Sequence, residues 1–203
     1  MILDQAQVPQ RLYLKDSELA RYWPQFLTRD QSDQLFERCL ALPWEQPSVQ
    51  VFGRRHQIPR MQCWLGEHQC DYRYSGTLLK PQPLPPWLNA LMFNVSQHCG
   101  TRFNAVLANR YRSGDDKMGW HSDNEPEMGQ QPQVAIVSLG AGRPLQLRSQ
   151  DHQQQDFTMP HGSLLQLLPL AQRQCKHQLP ARKRVDQERI SLTFRHIIPG
   201  FWH

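Results

Sequence analysis

The heptapeptide Arg189-Ile190-Ser191-Leu192-Thr193-Phe194-Arg195 alternates polar and apolar residues without a break. Successive side chains of a strand point to opposite sides. Arg189, Ser191, Thr193 and Arg195 therefore share one face, and Ile190, Leu192 and Phe194 the other. The apolar face asks for a core. Arginines at both ends of the polar face demand an anionic partner wherever that face is enclosed. Upstream, Phe103 to Arg112, Met118 to Asp123, Val134 to Leu139, Leu145 to Arg148, Phe157 and Ser163 to Leu168 also read as strands, punctuated by Gly, Pro and Asp clusters. Many short strands at this spacing predict a β-sandwich or barrel of jelly-roll type.

The first half has a different texture. Thr28 and Gln31 form a capping-box pattern before Leu35, Phe36, Cys39 and Leu40, which predicts a helix of about three turns. Val49 to Arg54, Arg60 to Leu65 and Tyr72 to Ser75 read as short strands. Pro81 to Pro86 is a stiff connector into a second helix, Trp87 to Gln97, with Leu88, Leu91, Met92 and Val95 on one face and Gly100 beyond its end. The expectation is an α+β chain in which residues 1–101, an N-terminal extension with helices and hairpins, lie over a β-core of residues 102–203. No linker is long enough to require independent domains.

At 203 residues the chain can enclose a real core. Six Trp, eight Phe and five Tyr exclude a disordered chain, although 26 glutamines hold the mean hydropathy at −0.67. Lys and Arg outnumber Asp and Glu by 23 to 18, a formal net charge of +5 that points only weakly to polyanionic partners. Five cysteines, an odd set with no CxxC pair, fit neither a disulfide framework nor a zinc ribbon. They point to a reducing compartment, the cytoplasm or a eukaryotic nucleus. The opening Met-Ile-Leu-Asp lacks a signal-peptide pattern, and Leu164 to Leu170 is too short to span a membrane.

Polar residues on strand faces carry the chemistry. Asn109 and Tyr111 share a face, as do His121 and Asp123. His-x-Asp is two-thirds of the facial triad that binds Fe(II) and leaves three positions open, and a downstream His completes it. With nine His and eleven Asp in the chain, chance supplies about 0.5 such triplets, so the motif alone discriminates nothing. The series is more specific. It runs Asn109-x-Tyr111, nine residues, His121-x-Asp123, 53 residues, His177, eleven residues, Arg189, five residues, Arg195.

That series resembles the AlkB family of Fe(II)- and 2-oxoglutarate-dependent dioxygenases, which remove alkyl groups from nucleic-acid bases. Asn109-Arg110-Tyr111, Gly119-Trp120-His121-Ser122-Asp123, His177-Gln178-Leu179-Pro180 and Ser191-Leu192-Thr193-Phe194-Arg195 are similar to its signature segments, and the resemblance runs from about residue 49 onward. It implies a double-stranded β-helix (jelly-roll) core with N-terminal helices and a β-hairpin nucleotide-recognition lid. By the same resemblance His121, Asp123 and His177 bind Fe(II), with 2-oxoglutarate and O2 as co-substrates. Arg189 and Arg195 meet the carboxylates of 2-oxoglutarate, Asn109 and Tyr111 donate hydrogen bonds to it, and Thr193 adds a contact. Ser191 stands where the family often has Asn. His161 is the rival third ligand.

Val51-Phe52-Gly53-Arg54 resembles the apolar finger of relatives that repair double-stranded DNA, in which an aromatic wedge fills the gap left by a flipped base; a plain hairpin core residue is the alternative for Phe52. Tyr72-Arg73-Tyr74-Ser75-Gly76 is similar to the segment that stacks on the target base, with Tyr74 as the lid against His121. Asn124, where many relatives carry an acid, and Glu125 complete the substrate side. Arg54, Arg55 and Arg60, and Arg182, Lys183 and Arg184, form two basic clusters, read either as solvated faces or as phosphate contacts. The activity so implied is DNA repair by oxidative demethylation of 1-methyladenine and 3-methylcytosine, releasing succinate, CO2 and formaldehyde. The partner implied is alkylated DNA, double- as well as single-stranded, bound by a monomer. RNA demethylation or protein hydroxylation on the same iron site, or nucleic-acid binding without catalysis, remain open at this point.

Overall fold

A computed structural model describes residues 8–14, 16–51, 54–74 and 76–203. Strands β1 (Gln10–Leu14) and β2 (Ser17–Trp23) pair antiparallel and lead into helix α1 (Arg29–Leu40). Two hairpins follow, β3 (Ser48–Val51) with β4 (Arg54–Gln57), and, after β5 (Met61–Gly66), β6 (Tyr72–Tyr74) with β7 (Thr77–Leu79). Helix α2 (Pro86–Cys99) then precedes β8 (Ala105–Tyr111), β9 (Met118–His121), β10 (Val134–Gly140), β11 (Arg143–Ser149), β12 (Gln154–Met159) and β13 (Ser163–Leu167). The chain closes with α3 (Pro169–Gln174), β14 (Cys175–Leu179) and β15 (Arg189–Arg195).

Two antiparallel sheets face each other. The larger has the order β1-β2-β13-β10-β15-β8-β5, the smaller β12-β11-β14-β9. β15 sits between β10 and β8, so both of its edges are paired, and all seven of its residues are buried. Its apolar face, Ile190, Leu192 and Phe194, packs in one core with Leu35 and Cys39 of α1 and Leu88, Leu91, Met92 and Val95 of α2. Its polar face looks between the sheets, where Leu107, Ile136, Leu145, Leu147 and Leu165 form a second core. The helices therefore back the sheet and leave its inner face to chemistry. This is the expected jelly-roll, α+β arrangement.

Local signals set the helix ends. Thr28 Oγ1 accepts the Gln31 N–H at 3.2 Å while Gln31 Oε1 accepts the Thr28 N–H at 3.0 Å, a closed capping box. α2 starts on Pro86 and ends at Gly100, whose φ of 64° is the left-handed conformation that glycine adopts without steric cost.

Sequence periodicity passes over β1, β2, β14 and α3. β2 buries Leu19, Ala20, Tyr22 and Trp23, on both of its faces, which erases the period-two signal. It also joins β13, as β5 joins β8, so strands of the first half extend the large sheet on both sides. In β14 an inward polar residue, His177, interrupts the apolar face. The Val49 to Arg54 stretch is the end of one strand and the start of the next, Val51 pairing with Arg54; Phe52, Gly53 and Ser75 lie outside the described residues.

All five cysteines are free and buried. Burial pushes the Cys39, Cys63 and Cys99 thiols up to about 12 and Cys70 to about 11. Since the thiolate is the nucleophile, iodoacetamide at pH 8 is expected to leave the native protein unmodified and to alkylate all five thiols after denaturation, as read by intact mass. Among the described residues no helix is long and apolar enough to cross a membrane.

Candidate active site

β9 and β14 are antiparallel neighbours in the small sheet, and their register sets His121 directly opposite His177. The rings meet at 4.1 Å between centroids. Asp123 follows two residues on, past the end of β9. Its Oδ1 lies 4.0 Å from His121 Nε2 and its Oδ2 3.4 Å from His177 Nε2, and one ligand atom from each residue fits within a 4.8 Å cluster. His121 Nδ1 lies 2.8 Å from the Gly119 carbonyl. A carbonyl only accepts, so Nδ1 carries the proton and Nε2 keeps its lone pair. Burial, then the neighbouring His177, lower the His121 pKa to about 4, so the imidazole is neutral at pH 7.

Asp123 is 1% exposed. Burial alone would raise its carboxyl, but the Arg195 guanidinium and the two imidazoles outweigh that and hold it below the usual carboxylate range. Arg195 donates to Oδ1 at 2.5 Å, and among the described residues the ion-pair neighbour of Oδ2 is His177 Nε2, at 3.4 Å. Two imidazoles and an ionised carboxylate, each offering a ligand atom to one point, suit a divalent transition metal.

The polar face of β15 lines the same cavity. Its register sets Ser191 opposite Asn109 and Arg189 opposite Tyr111. Arg189, 1% exposed, donates from Nε to Ser138 Oγ at 3.0 Å, while its Nη2 has no partner among the described residues. Burial lowers its pKa to about 10, still charged at pH 7. Nε and Nη1 of Arg195 are likewise buried without partners among the described residues. Two buried guanidinium groups facing one carboxylate leave an excess positive charge and open donors, which a small dicarboxylate matches. Asn109 is turned by Arg60, whose Nε donates to its Oδ1 at 2.9 Å, leaving the amide N–H groups for the cavity. Thr193 lines it too.

Next to Arg195, Tyr72 is fully buried, stacked on Trp64 at 4.8 Å, with the Arg195 guanidinium 4.8 Å from its ring. Its hydroxyl donates to Glu125 Oε1 at 2.6 Å. Burial raises the Glu125 pKa. Asn124 is exposed beside Asp123, and Arg73 is exposed with its guanidinium 3.9 Å over the Trp202 ring. Tyr74 closes β6.

Two readings change, and one residue absent from the sequence reading joins the site. Arg60 is 3% exposed and bonded to Asn109, so it does not belong to a phosphate-binding surface; its neighbours Arg54 and Arg55 made it look like part of a charge run. His161 is remote from the cluster, taking the Gly140 N–H on Nδ1 and pairing with Asp33 at 3.0 Å, so it is no rival ligand. Gln172, invisible among 26 glutamines, is buried and accepts the Asp123 N–H at 2.9 Å. Gln172→Ala is expected to weaken metal binding about 10- to 100-fold with little change in 2-oxoglutarate affinity, measured by titration calorimetry. By contrast Arg182, Lys183 and Arg184 are exposed, on a segment held by reciprocal 2.7 Å bonds between Gly114 and residues Arg182 and Val185. A side chain at 114 would overlap the Arg182 carbonyl, its Cβ only 1.8 Å away.

The profile of the 2OG-Fe(II) oxygenase superfamily matches residues 19–195. The chain is 39% identical over 183 residues to the DNA oxidative demethylase ALKBH2 of Mus musculus, covering 86% of this chain and 74% of that one. It is 32% identical to the alpha-ketoglutarate-dependent dioxygenase alkB homolog 3 of Bos taurus, over 87% of this chain and 65% of the relative. Among solved structures, that of OsALKBH1 superposes with a TM-score of 0.66 at 17% identity, covering 92% of this chain and all of the other; this supports the fold.

Proposed function

The chain belongs to the 2OG-Fe(II) oxygenase superfamily, in the branch of the AlkB homologues, and from that membership we propose that it repairs DNA by oxidative demethylation of 1-methyladenine and 3-methylcytosine. The observation that carries the reading is one cavity in which a two-His, one-carboxylate cluster adjoins the donors of Arg189 and Arg195, with the Arg195 guanidinium against the ring of Tyr72, which in turn bonds Glu125.

His121, Asp123 and His177 would hold Fe(II), and Arg189 and Arg195, with Asn109, Tyr111 and Thr193, would take the carboxylates of 2-oxoglutarate. Bound iron with O2 supplies the oxidation that releases the N-methyl carbon as formaldehyde while 2-oxoglutarate becomes succinate and CO2. The residues do the rest. Arg195 keeps Asp123 ionised, and burial keeps His121 neutral, so both present lone pairs. Glu125, steadied by Tyr72, offers an acceptor to the exocyclic amine or to the positive ring that alkylation creates. In this reading Tyr74 stacks on the flipped base, Phe52 within Val51-Phe52-Gly53-Arg54 fills its place in a duplex, and Arg73 and Asn124 border the pocket. Arg54 and Arg182 to Arg184 meet phosphates. Residues 1–101 would form the extension and nucleotide lid over the core of residues 102–203, working as a monomer in the cytoplasm or, in a eukaryote, the nucleus; the five reduced thiols support that compartment.

The test is mass spectrometry on matched 1-methyladenine and 3-methylcytosine oligonucleotides as single-stranded DNA, duplex DNA and RNA. Loss of the methyl group from both DNA forms, with equimolar succinate and formaldehyde, is expected. Metal-dependent succinate without DNA product, or turnover confined to RNA, would overturn the reading.

A further inference from the structure

The hairpin of β6 and β7, with three residues in each strand, is too small to hold its own conformation in water. Its support comes from the segment that follows β15. That segment leaves the sheet at Ile197, clamped by paired 2.8 Å bonds with the Asn104 carboxamide, and returns along residues 69 to 73. The Gly200 N–H donates to the Gln69 carbonyl at 2.9 Å, His203 Nε2 pairs with the buried Asp71 at 3.3 Å, and Trp202 lies under the Arg73 guanidinium at 3.9 Å.

Glu127 ties the two together. This residue is fully buried; its carbonyl accepts the Ile198 N–H at 2.8 Å and its carboxylate the Arg73 N–H at 2.6 Å. Two residues before it stands Glu125, which holds the Tyr72 hydroxyl. We propose that residues 198–203 are a strap that positions the lid strand, so that Tyr72 and Glu125 are set for the base by Trp202 and His203. These two are positioning residues, since neither lines the cavity. The inference rests on the demethylase reading for the substrate it names.

The experiment compares Trp202→Ala, Trp202→Phe and His203→Gln in the full chain. Amide exchange across residues 69–73 and the KM values for methylated oligonucleotide and 2-oxoglutarate are read separately. In Trp202→Ala, exchange should quicken and oligonucleotide KM rise about fivefold, the size a half-exposed cation–π contact supports. The 2-oxoglutarate KM and kcat should stay within about twofold. Phe, which keeps a ring face, should restore most of the effect, and His203→Gln should repeat it more weakly. Unchanged exchange at 69–73, or parallel rises in both KM values, would overturn the strap. If the wild-type protein demethylates no oligonucleotide, the functional reading fails, while the exchange result still decides the strap.

Discussion

Asp123→Ala is expected to lose metal binding and turnover together and to be the least stable of the three ligand variants. Loss of a ligand exceeds the roughly 10- to 100-fold that loss of an outer-shell partner costs, so metal affinity falls by more than about 100-fold. The stability effect has a separate origin. Arg195, 2% exposed, keeps its charge through Asp123, and removing one partner of such a buried pair costs about 3–5 kcal/mol. His177→Ala should lose the metal equally but leave the Arg195 pair intact, and so unfold closer to wild type. The folded-state pKa of Asp123 is depressed, so its contribution is present above about pH 4 and fades only as the pH falls below that. Asp123→Asn should therefore flatten the acid limb of the stability profile. Urea unfolding of the metal-free proteins from pH 2.5 to 7, beside anaerobic metal titration, checks both halves. Equal unfolding midpoints for Asp123→Ala and His177→Ala would mean that Asp123 serves the metal alone.

Arg189→Met is expected to divide the opposite way. The substitution removes a buried charge that lacks a carboxylate partner among the described residues and fills most of its volume, so the metal-free protein should be as stable as wild type or slightly more so. A charge-assisted pair with a carboxylate in a buried site, truncated on one side, costs about 2–5 kcal/mol. The 2-oxoglutarate Kd should thus rise about 30- to several thousand-fold. Millimolar 2-oxoglutarate with Mn(II) should raise the melting temperature of the wild type and leave that of the variant in place, because ligand stabilisation scales with the logarithm of ligand over Kd. A variant still stabilised by 2-oxoglutarate would show that Arg195 alone takes the dicarboxylate. Arg189→Lys should rescue only part of the binding, because an ammonium is a point charge without the guanidinium's flat fork.

Much of the site is legible before folding. Alternation in β15 assigns Arg189, Ser191, Thr193 and Arg195 to one face, and His121-x-Asp123 shares a face by the same rule. These are short-range properties, written in residues one and two apart. Some polar burial is illegible for the same reason. Gln172 carries no signal in a chain so rich in glutamine, and Arg60 has the sequence context of a surface cation. Both acquire a role only when β5 meets β8 and α3 packs against β2 and β14, which no local pattern specifies.

The sequence by itself determined a β-core backed by helices, the polar face of Arg189, Ser191, Thr193 and Arg195, and the shared face of His121 and Asp123, while the assignment of His177 and the arginines to metal and anion sets is what the family resemblance implies. Strand alternation, capping residues and motif spacing are local and need no partner. The tertiary structure alone decided that His177 stands opposite His121, that Arg195 spends one donor on Asp123, that Arg60 turns Asn109, and that the segment beyond β15 folds back on the lid. Register and the pairing of buried charges depend on contacts between residues tens of positions apart. Their free energy is gained only when both strands are already in place, so no window of sequence contains it.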